Sequence, residues 1–342
     1  MIAVVVVNYR RAPDTLECLR ALESAGLPCQ VVLVDNGAAA GETDPAIASY
    51  LEAHAEIVYR PIAENAGFAA ACNLAIDWVL EQEGPFEAVA LLNNDAVAEA
   101  GWLAAMAARL DPAARVEMIA AKMLCADGST QVDSLGIALY RSGFAANRKR
   151  SDHPLLGPCG GAALYSVRLL REVRDVTGHV FDPDFFCYAE DTDLAIRARL
   201  LGFRAGYAED ALVRHHGSLT SGGGDSDFVM YHGLRNSLCV MQRDLPWGFV
   251  LRFWPWMLAA RFGLLAKYAR RRRLGLLWSV YRDYRSRRER NRACRRALEK
   301  RGVLQWSRLA PVVSPHLYEP GYVREQLRAL VRPGRTDGAG TA

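Results

Sequence analysis

The sequence predicts an α/β protein built on parallel strands, with a helical extension at its C-terminal end. Residues 2–7 and 31–34 are continuous apolar, largely β-branched runs, the pattern of strands covered on both faces. The intervening residues 14–24 read as a helix, which completes a strand–helix–strand unit. Asn8, Asp35 and Asp95 stand just past the carboxyl ends of successive apolar runs, the edge at which open α/β sheets bind ligands.

The remaining elements follow in order. A third short strand, 57–59, leads to Asn65, a residue suited to cap a helix over 66–80. A fourth strand, 88–92, ends in Asn93-Asn94-Asp95. Residues 102–161 mix short helices with loops such as 126–129, and their strands have no evident order. Residues 191–201 read as a helix stopped by Gly202, followed by a strand over 203–207 and another ending near Val213. The Gly- and Ser-rich stretch 215–224 reads as a mobile loop. The chain turns helical after Asp227, and its character changes after Leu245. The expected division is 1–242 as an α/β domain with halves at 1–100 and 101–242, 243–331 as a helical extension, and 332–342 as a disordered tail.

With 51% hydrophobic and 23% charged residues among 342, the chain has ample material for a core and lacks the composition of a disordered protein. The net charge of +4 is unevenly spread: residues 267–308 hold 16 Lys or Arg and three acids, a local +13 that leaves −9 elsewhere. A basic tail on an acidic body implies an anionic surface as partner. No nucleic-acid-binding motif accompanies it, so phospholipid is the expected surface and nucleic acid is not. Eight scattered cysteines without metal-ligand spacing read as reduced thiols of a cytoplasmic protein. The apolar start lacks a basic leader and a cleavage site and reads as a buried strand.

Trp247, Phe249, Phe253, Trp254, Trp256, Phe262 and Leu264 crowd one stretch, interrupted by Arg252 and Arg261 and containing Pro255. A spanning helix needs about 20 uninterrupted apolar residues, so this segment is expected to lie on a bilayer, with Arg270 to Arg273 facing anionic headgroups. The alternative is an aromatic helix packed on the α/β domain beside a solvated basic face.

Three groups carry chemistry. Asp95 projects from a strand tip into the ligand crevice and suits a hard divalent ion shared with substrate phosphates, or else a simple turn. Glu190, Asp191 and Asp193 open a helix, where acids favour the dipole. The preceding Phe185, Phe186 and Tyr188 would build a partly dry pocket able to raise a carboxyl pKa toward general-base duty. Asp191 is the expected base, with Glu190 and Asp193 as cap or acceptor-positioning groups. One of His215 and His216 is a candidate metal ligand, because adjacent strand residues point to opposite faces.

In this order, the segments Val4-Val5-Val6-Val7-Asn8-Tyr9, Val32-Leu33-Val34-Asp35-Asn36-Gly37, Glu64-Asn65-Ala66-Gly67-Phe68, with Asn73, then Leu91 to Asp95, Gly160-Gly161-Ala162, Glu190-Asp191-Thr192-Asp193 with Arg197, His215-His216-Gly217-Ser218 and Arg235-Asn236 resemble family 2 of the glycosyltransferases, specifically its rhamnosyltransferase-like branch. The likeness spans about residues 2–240. It implies a GT-A fold, a mixed central sheet flanked by helices, and a metal-dependent inverting hexosyltransferase. Asn8, Asp35, Asn65, Gly67, Asn73, Asn94 and Asp95 would lie on the nucleotide-sugar side. Asp95 and His215 would hold Mg²⁺ or Mn²⁺, Asp191 would be the base, and Gly161, Ala162 and Glu190 would face the acceptor. The branch favours dTDP-rhamnose over a UDP-sugar as donor; a saccharide or lipid-linked acceptor at the inner face of the plasma membrane would fit the basic, aromatic tail. Asn93 departs from the family where many relatives carry the first Asp of a DXD motif, and the tail after Leu245 has no matching counterpart. A nucleotidyltransferase, or an inactive saccharide-binding or membrane scaffold, are the competing readings; Asn8-Tyr9-Arg10-Arg11 makes a poor triphosphate turn for the first.

Overall fold

The computed structural model describes residues 1–24, 27–38, 42–82, 84, 86–217 and 226–324. The expected loop at 215–224, from residue 218 onward, and the tail at 332–342 lie outside them. The chain begins β1 (Ile2–Asn8), α1 (Ala12–Leu22), β2 (Cys29–Asn36), α2 (Pro45–Ala53), β3 (Val58–Ile62), α3 (Phe68–Glu81) and β4 (Ala88–Asn93). Strands β3, β2, β1 and β4 pair in that order, all parallel. Every residue of Ile2–Val6 is buried, because alternate side chains feed opposite faces. Ala3 and Val5 meet α3 in one core, while Val4 and Val6 meet α1 and α2 in the other. A continuous apolar run is the sequence form of that two-sided burial.

Next come β5 (Ala96–Ala98), α4 (Trp102–Ala107), β6 (Val116–Cys125), β7 (Val132–Ser134), β8 (Ile137–Tyr140), β9 (Ala145–Asn147), β10 (Ala162–Ser166), α5 (Val167–Thr177), α6 (Glu190–Leu200) and β11 (Arg204–His215). The sheet continues from β4 through β10, β6 and β11 to β5, with β7 on β6. β10 runs antiparallel to both of its neighbours, which makes the sheet mixed. The two strands expected around 203–213 form one, β11, whose register on β6 shifts between Ala208 and Leu212. Exposed Glu209 and Asp210 occupy this irregularity and break the apolar pattern that marks a strand.

Two helix starts differ from expectation. α1 begins at Ala12, before Asp14, because Pro13 has the fixed φ that a first turn takes. α3 begins at Phe68 rather than at residue 66: Gly67, with φ +85°, breaks the backbone, and Asn65 Oδ1 accepts from Gly67 N at 3.0 Å, holding the turn ahead of the helix.

The chain ends with α7 (Asp227–Asp244), α8 (Trp247–Arg270), α9 (Leu274–Ser286), α10 (Arg288–Lys300), α11 (Trp306–Leu309) and β12 (Val313–Ser314). β12 pairs with β8 in a second, three-stranded sheet with β9, so the extension returns to the α/β domain. Arg243, buried at the end of α7, bonds Asp182 and Asp193, and Arg197 Nε adds a 2.9 Å bond to Asp193. Asp193, expected as a cap or acceptor group, is instead one member of a buried ion cluster joining α6 to α7. Opposite charges within bonding distance offset the cost of burial, and removing any one would leave the others uncompensated.

Candidate active site

The first cluster lies at the carboxyl ends of β1 and β2, where parallel register sets Asn8 opposite Asp35. Asn8 Nδ2 donates to Asp35 Oδ1 at 2.7 Å, and Tyr59 Oη donates to Asp35 Oδ2 at 2.9 Å. Thr15 Oγ1 donates to Asn8 Oδ1 at 2.8 Å and accepts from Asn94 Nδ2 at 3.0 Å. Asn8 and Asp35 are both buried, and this network fixes how the three strand ends present themselves.

The second cluster depends on sheet register. β5 pairs with β11 so that His215 lies opposite Ala96, which brings its imidazole beside Asp95. His215 Nε2 is 3.2 Å from Asp95 Oδ1 and 3.2 Å from Asn93 Nδ2, while Nδ1 is 2.8 Å from Asp133 Oδ2. Burial alone would lower the His215 pKa, but Asp133 and Asp95 outweigh it and push it up to about 9. His216 is exposed and gives only its amide, which donates to the Asp95 carbonyl at 3.0 Å. His215 is therefore the histidine that faces the carboxylate.

A divalent ion fits this pair. Two ligands at about 2.1 Å on adjacent octahedral positions stand about 3 Å apart, close to the observed 3.2 Å. Asp133 on the far nitrogen would be the outer carboxylate that orients the imidazole if it ligates. Among the described residues no group of three or more His, Cys, Asp or Glu could hold a metal ion. Asp95 and His215 would have to share one with substrate oxygens, as Mg²⁺ does in phosphate sites.

The third cluster is Asp191 in the first turn of α6. Its Oδ2 accepts from Gly160 N at 3.0 Å and its Oδ1 from Thr192 N at 2.6 Å. Burial raises its pKa while these amides draw it back. Beside it Glu190 is buried, and its carboxyl is pushed up to about 8 by burial and by Asp191. The approach to α6 is strained: Phe186, Tyr188 and Ala189 all have positive φ, between 66° and 70°. Such strain persists only where neighbours over-determine it. Asn236 Nδ2 donates to the carbonyls of Phe185, Cys187 and Tyr188 at 2.7–2.9 Å, and Arg235 Nη2 donates to those of Asp184 and Phe185. Gly67 closes the other side, where an added Cβ would meet the Phe186 carbonyl oxygen at 2.5 Å.

These clusters surround one cavity of about 1250 Å³. Asn65, Gly67, Asn94, Asp95, Gly161, Glu190, Asp191 and His215 all line it. Asn8, Asp35, Asn73 and Ala162 do not. Asn8 and Asp35 stand behind the cavity wall. Asn73 exchanges two bonds with the Phe181 backbone, at 2.7 and 2.9 Å, and Ala162 is buried in β10. Tyr188 lines the cavity, as the pocket expected before α6 requires; Asn93, noted in the sequence only as a departure from a DXD motif, and Tyr9 and Asn36, members of family-like segments given no role, line it too, and Asp133 supports it. Tyr9, Asn36 and Asn93 adjoin residues that were given roles, so proximity in sequence was an available signal; Asp133 had none.

Carboxylates and a histidine at the strand ends of a mixed α/β sheet, around a cavity sized for two substrates, define a transferase-type site. The sequence profile of glycosyl transferase family 2 matches residues 3–174, half of the chain, and the chain belongs to that family. GalNAc-T7, solved with UDP, GalNAc and Mn²⁺, superposes with a TM-score of 0.54 at 13% identity, over 77% of this chain and 51% of its own. The mannosyltransferase PcManGT from Pyrobaculum calidifontis, solved with GDP-Man and Mn²⁺, gives 0.52 at 21% identity, over 90% and 87%. S. aureus TarS gives 0.48 at 16% identity over 70% of this chain, which spans 39% of that longer protein. No curated protein matches the chain significantly. The fold is GT-A, with a set of C-terminal helices added.

Proposed function

We propose that the protein is an inverting, metal-assisted hexosyltransferase that moves a sugar, rhamnosyl favoured, from a nucleoside diphosphate to a hydroxyl of a saccharide or lipid-linked glycan in cell-surface polysaccharide synthesis. The observation that carries this reading is the convergence of the Asp95–His215 pair and Asp191 on one cavity. Tyr9, Asn36 and Asn65 offer a ring and amides for the nucleoside end. Asp95 and His215 would hold Mg²⁺ or Mn²⁺, which when bound neutralises charge on the departing diphosphate.

Asp191 takes the proton from the acceptor hydroxyl as that oxygen attacks the anomeric carbon. The Gly160 and Thr192 amides fix the direction of its lone pairs, and burial makes it a stronger base than a solvated carboxylate. A single displacement of the diphosphate by the acceptor oxygen inverts the configuration at the anomeric carbon. dTDP-rhamnose is the preferred donor on the branch resemblance; a UDP-sugar is the second choice.

The extension carries the membrane part of the proposal. α8 is, among the described residues, the one helix long and apolar enough to cross a bilayer by length and composition. Arg252 and Arg261 interrupt it, and Phe249, Phe253 and Tyr268 pack inward, which favours lying in the interface over crossing. Leu251, Trp254, Leu258, Phe262 and Leu265 form an outward stripe at helical spacing, 45–73% exposed. Arginines crowd the same region, so an anionic bilayer complements both its apolar stripe and its charge. The eight cysteines are free thiols, which suits a peripheral place at the inner face of the plasma membrane.

Asp191→Asn should lower turnover by about 10²–10⁴-fold while nucleoside-diphosphate binding persists. The assay is donor-dependent release of nucleoside diphosphate. Near-normal turnover in the folded variant would require another base, and release of pyrophosphate instead would point to nucleotidyl transfer.

A further inference from the structure

The cavity does not end at the catalytic carboxylates. It continues to the inner side of α8, where Ala260, Leu264, Lys267 and Arg271 line it together with Tyr318 and Tyr322. Its roughly 1250 Å³ exceeds the ~300–1000 Å³ of an ordinary small-molecule pocket. There is room for a second occupant beyond a nucleotide sugar. The wall also changes character along its length, from amides and carboxylates at the strand ends to apolar side chains and cations at α8.

We propose that the α8 end of the cavity is a subsite for the phosphate of a lipid-phosphate acceptor, with Lys267 as the principal anion ligand and the lipid chain leaving along α8 into the bilayer. The assignment rests on the glycosyltransferase reading above and narrows its acceptor to a lipid-linked one. Lys267 is half-buried and held in place: its Nζ donates to Tyr322 Oη at 2.7 Å and lies 5.2 Å from the centre of that ring. Among the described residues no carboxylate pairs with it in a salt bridge. A cation positioned by an aromatic partner, on the wall of a largely apolar cavity, is arranged to meet an anion carried on an apolar body.

The two sides of α8 make the same point. Ala259 and Gly263 line the cavity and are also solvent-exposed, so the cavity opens beside this helix. The outward stripe of Leu251, Trp254, Leu258, Phe262 and Leu265 belongs to the same turns. An amphiphile whose tail lies against this stripe can therefore bring its head group to the cavity mouth. Arg270 and Arg271 also line the cavity and continue its positive edge. A free saccharide has no use for an apolar, cationic wall opening at a membrane-facing helix.

The test uses the full-length protein and farnesyl phosphate as probe, titrated by calorimetry in EDTA so that no metal links phosphate to Asp95. Saturable binding is expected, about tenfold or more tighter than that of inorganic phosphate or of farnesol. Lys267→Gln should weaken it about tenfold with nucleoside-diphosphate affinity in Mn²⁺ unchanged, and Lys267→Arg should restore most of it. Equal affinity in Lys267→Gln overturns the assignment, as does inorganic phosphate binding as tightly as the lipid phosphate, or full displacement of the probe by a nucleoside diphosphate. A wild-type protein that binds nucleotide but not farnesyl phosphate sinks the lipid subsite alone. One that binds farnesyl phosphate through Lys267 but no nucleotide keeps the subsite and sinks the enzymatic reading.

Discussion

The imidazole of His215 stands between two carboxylates, and each holds a different nitrogen. Asp133 on Nδ1 leaves Nε2 facing Asp95, the orientation a ligand needs. Asp133→Asn should weaken Mn²⁺ affinity about 10–100-fold, read by metal titration, with little loss of fold because Asp133 is only partly buried. Glu190 makes a second prediction. Its folded pKa of about 8 lies above its ordinary 4.5, so the folded state holds a proton that the unfolded chain releases. The resulting stability is complete below about pH 4.5 and is lost as pH rises through about 8. Glu190→Gln should therefore flatten the fall between pH 5 and 8 by up to a few kcal/mol, measured by denaturant titration at the two pH values. Asp95, Asp191 and the histidine pair were legible in the sequence because each ends or begins an element. Asp133 was not, because it lies on a three-residue strand within a region whose order depends on long-range pairing.

At the scale of elements, the turn before α3 and the strained segment before α6 hold each other. The Phe186 carbonyl accepts from Ala69 N at 3.1 Å, and Gly67 lies too close to it to carry a side chain. Gly67→Ala should cost about 1–3 kcal/mol through positive φ and this clash and should lower turnover by displacing the Asp191 approach. Chemical denaturation and steady-state rates measure the two parts. Sequence patterning located β1, β2, β4 and α6 to within a few residues, since their apolar runs report burial directly. It identified Gly67 and Asn236 as parts of family-like segments but not their shared target, because contacts between distant segments leave no local period. It also divided β11 in two at Glu209 and Asp210, where exposed residues interrupt a strand without ending it.

For the whole molecule, charge and hydrophobicity are segregated. The extension joins its basic residues to an exposed apolar stripe on α8, while its inner side packs on the α/β domain. Of the two readings left open by the sequence, packing holds for the inner side of this helix, and the proposed membrane contact would use its exposed outer side. Leu251→Gln, Trp254→Gln and Phe262→Gln combined should leave nucleotide binding intact. At about 1.5–3 kcal/mol per side chain withdrawn from a membrane, flotation with anionic liposomes should fall by at least about tenfold. Added salt should weaken the wild type as well, since headgroup attraction is screened. Flotation unchanged in the triple variant would remove α8 as the membrane contact.

The irregular stretch of β11 gives that strand slack. On one side Tyr207 stays in step with Ala120, and on the other His215 is locked against both Cys125 and Ala96. Residues 209–211 between them answer to no partner on β6. A short insertion between the exposed Glu209 and Asp210 should therefore leave the downstream histidine in register, whereas Ala211, buried in the core, closes the slack on its far side.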